Sequence, residues 1–73
     1  MADYGVVLFF STAHAIRAER LLQRAGIENK MIPTPRQLSA DCGIALRFFW
    51  EDGDSVASTL EQNDVPANGI HRL

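Results

Sequence analysis

The sequence predicts a small α+β domain in which two strand-helix-strand units share one sheet. Three observations carry this. Tyr4-Gly5-Val6-Val7-Leu8-Phe9-Phe10 is a continuous apolar run, rich in β-branched and aromatic side chains and short enough for a strand. Between Ala13 and Ala25, apolar residues recur at three- and four-residue spacing. From Ile44 the period shortens to two, and a second, shorter helical pattern comes after it.

The first run is apolar on both faces and therefore predicts a central strand. Ser11 or Thr12 then caps a helix over Ala13 to Ala25 whose buried stripe is Ala15, Ala18, Leu22 and Ala25, widened by Ile16 and Leu21. Arg17, Arg20 and Arg24 fall on the wet side, and Gly26 supplies the left-handed turn that ends the helix. A short second strand is expected over Glu28 to Ile32, with Met31 and Ile32 as its core residues. Pro33 stops it, because proline offers no N–H to the ladder.

Next, Thr34 reads as an N-cap and Pro35 as the first residue of a helical turn reaching Leu38 and Ser39. Asp41-Cys42-Gly43 turns the chain into a third strand, Ile44 to Trp50, with Ile44, Leu46, Phe48 and Trp50 inward and Phe49 on the opposite face. After the polar turn Glu51-Asp52-Gly53-Asp54, Asp54 or Ser55 caps a helix to about Gln62 that buries Val56, Ala57 and Leu60. A last strand runs from Gly69 to Leu73.

This βαββαβ order matches the ferredoxin-like sandwich, with residues 1–73 as a single domain. Its four-stranded antiparallel sheet has the order 4-1-3-2, two helices on one face and a long strand 2 to strand 3 connection. That topology brings Ser11, Thr12 and His14 to the same end of the sheet as residues 33–43, with Asn63 and Pro66 near the rim. The face opposite the helices is expected to carry Val7, Phe9, Ala45 and Phe49, apolar where a solvated face should be polar. A partner, most simply a second copy in a homodimer, or part of the long connection should cover it.

Composition narrows the function. A chain of 73 residues buries only about 60% of its unfolded surface, and its one cysteine allows no internal disulfide. The thiol reads as free and the compartment as reducing, hence cytoplasmic. Residues 1–10 lack the pattern of a signal peptide, and no apolar run is long enough to span a bilayer. The net charge of -2 argues against nucleic acid as the main partner. The charge is uneven: residues 1–47 carry six of the seven basic side chains, while residues 48–73 carry five acids against Arg72 alone. Two differently charged solvated faces account for this.

The stretch Ile32-Pro33-Thr34-Pro35-Arg36-Gln37-Leu38-Ser39-Ala40-Asp41-Cys42-Gly43 concentrates the chemistry. No metal site is expected, since His14 and His71 fall at different ends of the sheet and Asp52-Gly53-Asp54 lacks the spacing of a calcium loop. Ser11 and Ser39 have no base and orienting acid at recognisable spacing, which disfavours serine hydrolysis. The Phe residues and Trp50 read as core. Cys42 admits two readings, an accessible reactive thiol or a small buried residue filling the start of strand 3. Its local setting opposes reactivity, because the end of the preceding helical turn and Asp41 both disfavour a thiolate. Support would have to come from the N-terminus of the first helix, with Ser11, Thr12 and His14, or from Arg36 folded back across the turn.

Nearly the whole chain resembles the selenium or sulfur (Se/S) carrier protein-like family of small bacterial domains. The resemblance lies in Ser11-Thr12 after the first strand, Ala18-Glu19-Arg20-Leu21-Leu22 leading to Ala25-Gly26-Ile27, and Ile32-Pro33-Thr34-Pro35-Arg36 with Leu38-Ser39 and Cys42-Gly43 before an apolar strand. It implies a carrier, turned over by other proteins, that holds sulfur or selenium on Cys42 as a persulfide or selenosulfide. No cofactor is implied. A cysteine desulfurase-like donor would load it and an acceptor would unload it, with Thr34, Pro35, Arg36, Ser39 and Gly43 shaping the pocket. The competing expectation is a noncatalytic interaction or small-anion-binding module in which Cys42 is structural.

Overall fold

The computed structural model describes residues 3–38 and 43–73. Its elements are β1 (Tyr4–Leu8), α1 (Thr12–Arg24), β2 (Asn29–Pro33), β3 (Ile44–Phe49), a 3-10 turn (Trp50–Asp52), α2 (Gly53–Gln62) and β4 (Ile70–Arg72). All pairings are antiparallel and the strand order is β2-β3-β1-β4, the expected 4-1-3-2 read from the other edge. Being apolar on both faces, β1 takes a central place, and Val6, Val7 and Leu8 are all essentially inaccessible.

The two helices pack on one side of the sheet. There Val7, Phe9, Leu46 and Phe48 meet Ala15, Ala18 and Leu22 of α1 and Val56 and Leu60 of α2. Each fully buried large side chain of this kind contributes about 1.5–3 kcal/mol. The other side holds a smaller cluster, Val6, Leu8 and Ala45, with Ile32 and Leu38 laid against it. Val7 and Phe9 therefore do not lie on the open face as expected. Val7 pairs with Leu46 and Leu8 with Ala45, and cross-strand partners share a face, so the phase of β1 is shifted by one residue from that expectation. Of the expected covers, the long connection supplies one through Leu38.

Helix α1 forms as its caps require. Ser11 Oγ accepts a hydrogen bond from the His14 amide at 3.3 Å. At the other end Gly26, at φ 76°, permits Gly26 N–H to reach Gln23 O and Ile27 N–H to reach Leu22 O, a Schellman closure. The buried face is narrower than the spacing suggested: Ala25 and Ile16 are exposed, as is Ala57 on α2. Two boundaries also move. Pro33 is the last residue of β2, tolerated because β2 is an edge strand. Trp50 leaves β3 to open the 3-10 turn, and α2 starts at Gly53 with no side-chain cap. Glu51, Asp52 and Asp54 place negative charge at that helix start, where the macrodipole favours it.

Gly5 is required by packing. The stacked rings of Phe48 and Trp50, 6.3 Å apart at the centroids, lie against it, and a Cβ there would sit 2.6 Å from an atom of each. His71, expected at the far end of the sheet, pairs mid-strand with Val6. No helix among the described residues is long and apolar enough to cross a membrane.

Candidate functional site

Strand pairing fixes which segments meet at the end of the sheet where β1 finishes. Leu8 lies opposite Ala45 and Pro33 opposite Ile44, so the C-terminal ends of β1 and β2 align with the start of β3. The turn from β1 into α1 and both ends of the β2–β3 connection therefore occupy one rim. The loop before β4 joins them, since Asn68 N–H donates to Leu8 O at 2.7 Å. Arg17 Nη2 donates to Asn63 O at 3.0 Å and holds α1 against the end of α2.

On this rim Ser11 and Thr12 are exposed, and His14 is half-buried with its Nδ1 inaccessible and without a hydrogen-bond partner. Thr34 N–H donates to Gly43 O at 3.4 Å and closes the neck of the connection. The Thr34 hydroxyl is buried and unpaired instead of capping a helix. Beyond Thr34 the described residues form a single turn, closed by Leu38 N–H on Pro35 O at 3.0 Å. Pro35 is half-buried, whereas Arg36 and Gly43 are exposed. Among the described residues no carboxylate pairs with Arg36, and no hydrogen bond joins Ser11, Thr12 or His14 to Thr34, Pro35, Arg36 or Gly43. Ser39 and Cys42, with Asp41 between them, lie outside the described residues.

Two residues at this rim depart from expectation. Phe10, expected inside the first strand, lies beyond its end and is 64% exposed. Phe9 enters the core and Phe10 does not, and nothing in the unbroken apolar run marks which of the two turns outward. Leu38, expected only in a helical turn, seats on the open face of the sheet.

No curated protein and no solved structure gives a significant match. The family model described as "Putative Se/S carrier protein-like" matches residues 4–72, from the first residue of β1 to the last of β4, and the chain belongs to that family.

Proposed function

We propose that the protein carries sulfur or selenium on Cys42, within a ferredoxin-like scaffold, between a desulfurase-like donor and an acceptor protein. The observation that carries this reading is the family match across the whole fold, in a chain whose sole thiol is Cys42. The thiolate of Cys42 attacks the terminal sulfur of a donor persulfide. A new bond forms from Sγ to that sulfur as the donor's own S–S bond breaks, and the donor departs as a thiolate. Selenium transfers in the same way from an S–Se bond. Neither case needs an external oxidant or reductant.

The anion so formed requires nearby donors. Arg36, exposed and uncommitted among the described residues, supplies positive charge in the same connection. Ser11, Thr12 and His14, at the positive N-terminal end of α1, share the rim with Thr34, Pro35 and Gly43. Ser39 belongs to the same proposed pocket. Reading the protein as a carrier means that it is turned over by its partners and has no cofactor of its own.

Intact-mass measurement after incubation with a cysteine desulfurase and cysteine tests this reading. One added sulfur, removed by dithiothreitol and absent in Cys42→Ser, is expected. No adduct on the native chain, or the same adduct on Cys42→Ser, overturns it.

A further inference from the structure

The open face of the sheet is not uniform, and its half remote from Cys42's connection holds a cleft of about 280 Å³. Tyr4 of β1, Arg47, Phe48 and Phe49 of β3, Glu28 just before β2, and Asn29 and Lys30 at its start line it. Tyr4 and Phe49 are directly paired across the strands, with ring centroids 5.4 Å apart and planes 24° from parallel. The Arg47 guanidinium lies 4.4 Å from the centroid of Tyr4. Lys30 is Arg47's partner on β2, so the two cations stand side by side.

Two features of this arrangement point to a ligand. The Arg47 guanidinium is steadied by an aromatic ring, yet among the described residues none of its N–H groups meets an acceptor and no carboxylate pairs with it or with Lys30. The lining side chains carry two positive charges against the one of Glu28, which leaves a net attraction for an anion. The volume suits one ring system with an anionic substituent, and it is too small to follow a polymer.

We propose that this cleft binds a small planar aromatic anion, its ring seated against Tyr4 and Phe49 and its negative group held by Arg47 and Lys30. Nucleoside monophosphates and aromatic carboxylates share this chemistry. Both parts of the ligand are needed: the aromatic pair offers apolar surface and ring faces, while the cations supply charge-assisted hydrogen bonds.

Titration of the full chain at low salt, followed by calorimetry and by NMR shifts, tests the proposal with AMP and benzoate as probes and adenosine and inorganic phosphate as controls. AMP or benzoate should saturate, with shifts centred on Tyr4, Lys30, Arg47 and Phe49. Preference for AMP identifies the phosphate class, and preference for benzoate the carboxylate class; either result supports the site. Arg47→Ala and Lys30→Ala should each weaken binding by about tenfold or more. Lys30 is exposed, so its variant reports on the ligand without disturbing the fold. The proposal is overturned if adenosine or phosphate alone binds as tightly as the preferred probe, if neither AMP nor benzoate saturates at millimolar concentration, or if the shifts map elsewhere. It is equally overturned if the protein self-associates through these residues and the probes fail to compete.

Discussion

The two halves of the open sheet face are built from the same strands and behave oppositely. At one end Val6, Leu8 and Ala45 are sealed, because Ile32 and Leu38 of β2 and the connection lie over them. At the other end Tyr4, Arg47 and Phe49 are only half-buried and bind mainly one another. The difference is one of cover. A strand residue that a neighbouring segment can reach becomes core, whereas one beyond that reach must be amphipathic or must wait for a ligand.

That contrast can be broken from either end. The largest effect is expected from Leu8→Ala, which empties a 2%-exposed position under the cover and should cost about 2–5 kcal/mol in chemical denaturation. A loss as small as that of a surface residue would mean that the covered half is not core. Leu38→Ala removes the cover while leaving the covered residues intact. It should cost about 1–2 kcal/mol and increase binding of a hydrophobic dye. Equal dye binding in the native chain would show that Leu38 shields nothing.

At the uncovered end, Phe49→Ala removes a stacked pair beyond its area of burial, worth about 0.5–1.5 kcal/mol. A double-mutant cycle with Tyr4→Leu isolates that coupling, and additivity would deny it. The smallest change is expected from Arg72→Ala. Its bond to Asp3, at 2.6 Å, joins side chains 55% and 63% exposed, so the thermal midpoint should barely move and any shift should vanish in high salt.

Much of the architecture was legible because periodicity and breakers agreed. Ser11 and Gly26 delimit α1, and the alternation in β3 separates Leu46 and Phe48 from Ala45 and Arg47. The phase of β1 was not legible. Four consecutive apolar residues, Val6 to Phe9, carry no alternation, and only the cross-strand register decides which of them faces the helices. Helix α2 begins earlier than its polar residues suggest because a 3-10 turn runs straight into it. At the candidate site, topology expected from the sequence put the β1–α1 turn and the β2–β3 connection on one rim, and the strand pairings bear this out. The Thr34 hydroxyl defies its expected capping role, since a preference for caps says nothing about whether a full helix comes after.

The bond from Thr34 N–H to Gly43 O works like a drawstring on a bag. Both flanking strands are in register before the chain leaves the sheet, so lengthening the segment beyond Leu38 asks little of the scaffold, by loop-closure entropy about 0.6 kcal/mol for each doubling of length. The frame is thereby set by the strands on either side, and the chain between them is closed off from it at a single backbone contact.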